Sequence, residues 1–213
     1  MREEEHFAEL CKIMTTLLGE NGCPWDRAQT HQTLRPHLLE EAYEVADAID
    51  NNDKNALREE LGDLLLQVII HSKIAEKDGA FDLKDVIRDV SDKLVRRHTH
   101  IFAEDTAQTP ADVEDTWEAN KIKEKAISSP LENMQAVPKA LPALARAQKV
   151  IKRSGKDFSQ KHLVAELQHL LDDPDLVNHG NVLLLIATLF TKMQINAEFS
   201  LTNAVQEFIN SFK

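Results

Sequence analysis

LLEEAYEVADAI at residues 38–49 and EELGDLLLQV at residues 59–68 are the two stretches that decide the fold of this chain. Apolar residues recur in both at helical spacing, which predicts two amphipathic helices. Glu41 and Glu44 are three residues apart in the first stretch, and Glu60 and Asp63 are three apart in the second. Residues three apart lie on one face of a helix, so each pair of acids flanks an apolar stripe.

The polar turn at residues 51–53 joins these two helices. Helices joined by a short loop are normally antiparallel neighbours, so their flanking acids can face one cleft. Clustered carboxylates repel one another and lose hydration, which calls for a neutralising partner. A hard divalent cation neutralises them directly, and Mg²⁺ is the usual ion where phosphates share the site. The alternative is that these acids form a solvated helix face. That alternative explains one acidic stretch alone better than it explains the two stretches together.

Composition points to an all-α protein. Hydrophobic residues make up 42% of the 213 residues and charged residues 29%, which is ordinary for a globular protein. No stretch has the alternation expected of strands or hairpins. The net charge of −11 disfavours electrostatic binding to nucleic acid or to an anionic membrane. Phosphate substrates remain open, because a bound cation reverses the local charge.

Several observations favour a cytosolic location. Cys11 and Cys23 match no zinc motif, and two isolated cysteines fit a reducing compartment better than a disulfide scaffold. The first residues lack the features of a signal peptide. The longest apolar stretch, residues 182–190, is too short to span a bilayer and predicts a buried helix.

Two modules are predicted on either side of a linker. The first, residues 1–127, has helical spacing at 3–18, 34–50, 54–77, 83–98 and 110–127, with Pro36 in a first helical turn. Prolines mark a linker at 128–138, and the second module, 139–213, has helices near 139–153, 160–171, 179–195 and 200–212. The second module is predicted to be a degenerate repeat of the first. GDLLL at 62–66 resembles GNVLL at 180–184, which aligns Asn178 with Glu60 and Asn181 with Asp63.

Three other features carry candidate chemistry. Lys93 and Arg97 are four apart, so both can clamp phosphate oxygens from one helix face, unless they form a solvated basic patch. Trp25 follows a Gly-Cys-Pro turn and either stacks on a nucleobase or plugs the end of a bundle. Glu166 and His169 form Glu-x-x-His, a spacing found in di-iron bundles, but a single copy favours an ordinary surface pair.

The acids, in the pattern Glu-Glu-x-x-Glu at 40–44 and Glu-x-x-Asp at 60–63, resemble the signature of the MazG nucleotide pyrophosphohydrolases. This family belongs to the all-α nucleoside triphosphate pyrophosphatase superfamily. Three further segments are similar to the MazG pattern and occur in the same order: NGCPWD at 21–26, SDKLVRRH at 91–98, and Trp117-Glu118 with Lys121. The resemblance covers residues from about 10 to 125.

The resemblance implies a dimerising helical bundle that hydrolyses a nucleoside triphosphate to the monophosphate and pyrophosphate. It implies Mg²⁺, with Mn²⁺ as a substitute, bound by four acids: Glu41, Glu44, Glu60 and Asp63. It also implies that Glu40, beside the ligand Glu41, supports the ion or orients the attacking water. Long members of the family carry two catalytic-type modules, and here the second has lost nearly all its acids. A regulatory or scaffold protein that binds nucleotide with weak turnover, and a purely structural helical protein, are the alternatives.

Overall fold

A computed structural model describes residues 2–103, 105–172 and 179–212. The described residues form twelve α-helices and no strand, so the predicted all-α class is confirmed. The chain divides into two compact units, Met1–Thr106 and Ala107–Lys213. Six helices belong to the first unit: α1 (Glu3–Leu18), α2 (Pro24–Arg27), α3 (His31–Asp50), α4 (Lys54–Lys77), α5 (Leu83–Arg97) and α6 (Thr99–Phe102).

Local capping sets the ends of the helices that carry the acids. The Asp53 side chain accepts hydrogen bonds from the backbone N–H groups of Asn55 and Ala56, at 2.9 and 3.1 Å, and so begins α4. Beyond the other end of α4, Gly79 adopts φ 69°, a left-handed conformation that glycine tolerates without a steric cost. Both ends of α4 therefore lie where the sequence predicts them.

The third helix begins earlier than predicted. Its first residue is His31 rather than residue 34, because the Thr30 side chain caps it by accepting from the backbone N–H of Thr33 at 3.1 Å. Pro36 consequently lies inside the helix, not in its first turn. The extra turn carries His31 against α4, where its Nδ1 lies 2.7 Å from Nδ1 of His71.

The core of the first unit lies where α1, α3 and α4 meet. Met14 of α1, Leu34 of α3, and Ile69 and Ile70 of α4 form one buried cluster. Full burial of each such side chain stabilises the fold by about 1.5–3 kcal/mol relative to exposure. Since His31 lies beside His71 and the later α3 residue Glu41 lies beside the earlier α4 residue Asp63, the two helices run antiparallel, as predicted.

Six helices form the second unit: α7 (Pro110–Glu124), α8 (Pro130–Gln135), α9 (Ala143–Ser154), α10 (Gln160–Asp172), α11 (His179–Lys192) and α12 (Ala197–Asn210). The helix α7 belongs to this unit, because the compact division falls after Thr106, and the predicted module boundary at residue 127 stays a prediction. The predicted linker at 128–138 instead carries α8, which begins at a Ser129 cap and packs on α9. Prolines in this segment can begin a helix, although the sequence prediction treated them only as helix breaks.

Packing in the second unit centres on α9, α10 and α11. Its buried hydrophobic residues include Val137, Leu163, Ala187 and Ala197. Among the described residues, no single helix has the length and apolar composition needed to cross a membrane. The helices α11 and α12 meet those limits only as a pair, across a bend of 107°.

Candidate metal centre and nucleotide site

Three of the four predicted metal ligands come together on the α3–α4 hairpin. Glu41 of α3, with Glu60 and Asp63 of α4, each place one carboxylate oxygen within 4.8 Å of the others. All three side chains are half-buried. Oxygen atoms at this spacing suit a hard divalent cation, which accepts carboxylate ligands from several directions. The donor set on this hairpin therefore fits the ion that the resemblance implies.

Without a cation, the acids of this cluster are disfavoured in their charged form. Partial burial raises the pKa of the Glu41 carboxyl, and the negative charges of Asp63 and Glu44 raise it further. Partial burial likewise raises the pKa of Glu60, and the Glu44 and Glu59 charges add to the effect. Both shifts have the same origin: a carboxylate that loses water beside like charges favours its neutral form. A bound divalent cation removes this penalty.

Glu44, the fourth predicted ligand, lies beside the cluster and outside the mutually close set of three. It is exposed, and its negative charge raises the pKa of the Glu41 carboxyl. Glu40 is exposed as well, and its Oε2 lies 3.5 Å from Nδ1 of His37, one turn earlier on α3. Glu44 therefore lies outside the mutually close set of three, and the recorded contact of Glu40 is with His37.

The loop before α3 is fixed tightly to the end of α1. A Cβ atom at Gly22 would lie 2.1 Å from the carbonyl oxygen of Leu17, so only glycine fits this close backbone approach. The next residue, Cys23, donates its backbone N–H to the same Leu17 oxygen at 2.8 Å. The carbonyl of Trp25 accepts a 2.8 Å hydrogen bond from the side-chain amide of Gln29. The loop is thus held at both ends.

Trp25 projects from this loop with 56% of its surface exposed. It does not plug the bundle, since the first unit's buried core excludes it. Its ring lies beside that of His37, with centroids 6.2 Å apart and planes inclined at 69°. His37 is not among the residues predicted from the sequence. Its three-residue spacing from Glu40 is visible in the sequence, but its contact with Trp25 depends on how the loop folds back.

The predicted phosphate clamp lies on α5. Lys93 is half-buried, whereas Arg97 is only 8% exposed and lies inside the unit. Their four-residue spacing holds on the helix, but their access to solvent differs. A clamp formed by both side chains therefore stays a prediction, with Lys93 the more accessible of the two.

A second feature of the first unit escaped the sequence analysis. The imidazoles of His31 and His71 are nearly parallel, with planes 5° apart and a 2.7 Å contact between their Nδ1 atoms. His31 lines a cleft of about 650 Å³ that also involves Arg27, Lys73 and Lys77. The acids of the metal cluster do not line this cleft. Nothing local in the sequence connects residues 31 and 71, so only the fold reveals the pair.

The second unit places its candidate residues differently. Glu166 on α10 is exposed, and its Oε2 lies 3.7 Å from Nε2 of His162, so an ordinary surface ion pair accounts for it. Asn181 is exposed at the start of α11, and Asn178 lies outside the described residues. On α7, Nζ of Lys121 contacts both carboxylate oxygens of Glu118, at 2.7 and 2.8 Å.

Comparisons with known proteins agree with this geometry. Residues 29–102 match the model of the MazG nucleotide pyrophosphohydrolase domain. A nucleoside triphosphate pyrophosphohydrolase/pyrophosphatase MazG of Thermotoga maritima is 36% identical over 216 residues, covering 97% of this chain and 84% of the relative. A nucleoside triphosphate pyrophosphohydrolase of Escherichia coli strain K12 is 48% identical over 134 residues, covering 63% of this chain. This chain spans about half the length of the Escherichia coli relative, since the match covers 51% of it.

Proposed function

Because this chain belongs to the MazG nucleotide pyrophosphohydrolase family, we propose that it hydrolyses nucleoside triphosphates to nucleoside monophosphate and pyrophosphate. The observation that carries the proposal is the gathering of Glu41, Glu60 and Asp63 within 4.8 Å on one hairpin. The relatives named above are called nucleoside triphosphate pyrophosphohydrolases, which agrees with this chemistry. Removal of surplus or damaged nucleotides is the role that such an activity serves best.

Glu41, Glu60 and Asp63 would hold the divalent ion, and Glu44, one turn from Glu41 on α3, would complete the ligand set. Bound Mg²⁺, or Mn²⁺ in its place, supplies charge neutralisation at the phosphate oxygens. Glu40, which is exposed and precedes Glu41 in the sequence, orients the attacking water and accepts its proton. The mechanism therefore depends mainly on placement and electrostatics, as phosphoryl transfer generally does.

The remaining residues position the two ends of the substrate. Lys93, with Arg97 behind it on α5, steadies the departing pyrophosphate by its positive charge. Trp25 offers an exposed indole face on which a nucleobase stacks. The water oxygen bonds to the α-phosphorus while the bond from that phosphorus to the α–β bridging oxygen breaks. Both electrons of the broken bond leave with pyrophosphate.

Hydrolysis in ¹⁸O-labelled water tests which bond breaks. Attack at the α-phosphorus puts the label in the monophosphate, and attack at the β-phosphorus puts it in pyrophosphate. We expect labelled monophosphate, unlabelled pyrophosphate and a strict requirement for a divalent ion. Diphosphate and free phosphate as primary products would refute the mechanism. The experiment also separates the enzyme from a regulatory or scaffold protein, which would bind nucleotide tightly but release almost no pyrophosphate.

We also propose that the chain forms a homodimer in the cytosol. Leu61, Leu65 and Val68 of α4 are 39–50% exposed and form a stripe at helical spacing beside the acidic cluster. A second copy covers such a stripe from water. Both cysteines are free, which fits a reducing compartment. A Leu65→Lys variant should shift the mass measured by light scattering from two chains toward one, and an unchanged mass would count against this surface.

The second unit is proposed to be a catalytically inert repeat that serves assembly. Its described residues place Glu166 in a surface pair with His162 and leave Asn181 exposed, so acids do not gather at the corresponding hairpin positions. Nucleic acid and membranes are not proposed as partners, because the net charge of −11 repels both.

A further inference from the structure

We propose that Trp25 and His37 form the two sides of a nucleobase corner, in which His37 contacts the edge of a base stacked on Trp25. This inference deepens the proposed function and rests on it, since it assigns a specificity-determining residue for the nucleotide substrate. The residue His37 is not part of the acidic signature. Its role follows from the position of its ring between the loop and the metal cluster.

The two rings have the geometry of a corner. Their planes are inclined at 69° and their centroids are 6.2 Å apart. A flat base lying against the indole face therefore presents its edge toward the imidazole. Trp25 is 56% exposed, which leaves indole surface free for such a stack. Stacking alone tolerates every base, whereas a ring nitrogen at the base edge distinguishes bases by hydrogen bonding.

The corner lies at a useful distance from the acids. His37 precedes Glu41 by four residues, which corresponds to about 6 Å along the helix axis. In a nucleotide the sugar separates the base from the α-phosphate, so base and metal sites must be separated in the same way. Glu40 approaches Nδ1 of His37 at 3.5 Å, which leaves Nε2 on the other side of the ring for the base.

The loop gives the corner a fixed side. Gly22 and Cys23 hold the loop against the Leu17 carbonyl, and Gln29 holds the Trp25 carbonyl. His37 is fixed differently, because it belongs to the 20-residue helix α3 that also carries Glu41. Both sides are thus positioned before a nucleotide arrives, which lowers the entropy lost on binding.

A probe without a base separates this corner from the metal site. We would measure kcat and KM for the four deoxynucleoside triphosphates, and the inhibition constant of inorganic tripolyphosphate, which offers phosphates alone. Three variants are compared with the unmodified chain: His37→Ala, His37→Phe and, as control, His162→Ala. The control removes an exposed histidine that also has a glutamate partner on its own helix, in the second unit.

We expect His37→Ala to raise KM about 10-fold for the nucleotides, in line with the loss of one base contact, while kcat changes little. The inhibition constant of tripolyphosphate should stay unchanged. His37→Phe keeps a ring but removes the nitrogens, so the four nucleotides should lose their differences in KM. His162→Ala should match the unmodified chain throughout.

Three results would overturn the proposal. One is an unchanged KM in His37→Ala. Another is an equal weakening of tripolyphosphate, which would mean that His37 acts through Glu40 on the phosphate site. The third is a full set of base preferences in His37→Phe. Failure of the proposed function appears separately, as no Mg²⁺-dependent pyrophosphate release by the unmodified chain. Equilibrium binding then tests the corner: the unmodified chain must bind nucleotides more tightly than tripolyphosphate, and His37→Ala must weaken nucleotide binding about 10-fold without changing tripolyphosphate binding, or the proposal fails.

Discussion

The α3–α4 hairpin of the first unit and the packed pair α10–α11 of the second each consist of two consecutive helices, but their polar residues differ. Both pairs pack along apolar stripes. The first carries Glu41, Glu60 and Asp63, each with a carboxylate oxygen within 4.8 Å of the others. The second has an exposed Glu166 paired with a histidine. Because burial and like charges raise the pKa of Glu41 and Glu60, the acids of the first hairpin destabilise it without a cation. The helical packing needs no acids, so their presence indicates chemistry.

The largest effect should follow from removing one charge of the first hairpin. Glu41→Gln keeps the side-chain shape but removes a ligand charge beside Glu60 and Asp63. We expect pyrophosphate release to fall by at least about 100-fold, as for loss of a direct ion ligand. Folding should be preserved, which circular dichroism checks. Near-normal Mg²⁺-dependent turnover would show that the cluster is not the metal site.

A smaller effect should follow from crowding the loop that presents Trp25. In Gly22→Ala, the new Cβ would meet the Leu17 carbonyl oxygen at 2.1 Å, so the loop must move. Overpacking of this kind costs about 1–3 kcal/mol. We expect a lower melting temperature and a raised KM for nucleotides, with tripolyphosphate inhibition retained. Gly62→Ala is the control, because a Cβ there meets no atom within 4 Å. Equal effects of the two variants would contradict the close-approach argument.

Stability should depend on pH and on the cation through the same acids. The pKa of Glu41 is raised in the folded chain, so its destabilising effect is present above that pKa and fades as pH falls toward about 4.5. In EDTA, Glu41→Gln should therefore melt at a higher temperature than the unmodified chain at pH 7, with a smaller difference at pH 5. Mg²⁺ at ten times its Kd should stabilise the unmodified chain by about 1.4 kcal/mol. Calorimetry with and without Mg²⁺ measures both, and a pH-independent difference would contradict the charge-repulsion account.

The smallest effect should follow from a substitution in the α10–α11 pair of the second unit. Glu166→Ala removes an exposed carboxylate whose partner His162 is also exposed, so stability should change by no more than about 0.5 kcal/mol. Turnover should stay within about twofold, since a surface pair contributes little. A folded, dimeric Glu166→Ala protein without activity would end the idea that the second unit is inert.

Local chemistry explains what the sequence could predict. The ends of α1 and α4 follow from periodicity, from the Asp53 cap and from Gly79, all within a few residues of the ends they set. The spacing of Glu41, Glu60 and Asp63 was enough to predict their meeting, because a three-residue turn restricts the hairpin.

Other features depended on competition or on distant contacts. The Thr30 cap outweighed Pro36 in setting the start of α3, and Ser129 started a helix inside the predicted linker. The helix α7 groups with the residues that follow it in the division into compact units, which periodicity cannot reveal, and the predicted module boundary stays a prediction. The contact of Trp25 with His37 and that of His31 with His71 join residues that no spacing rule relates.

The His31–His71 contact restricts the protons of both rings. The 2.7 Å contact between the two Nδ1 atoms needs one donor and one acceptor, so one Nδ1 carries a proton and the other does not. Burial lowers the pKa of His71, and a charge on His31 lowers it further, which favours a neutral His71. The first turn of α3 is therefore joined to α4 by a single proton. Nitrogen NMR would detect this arrangement as different ring-nitrogen chemical shifts for His31 and His71.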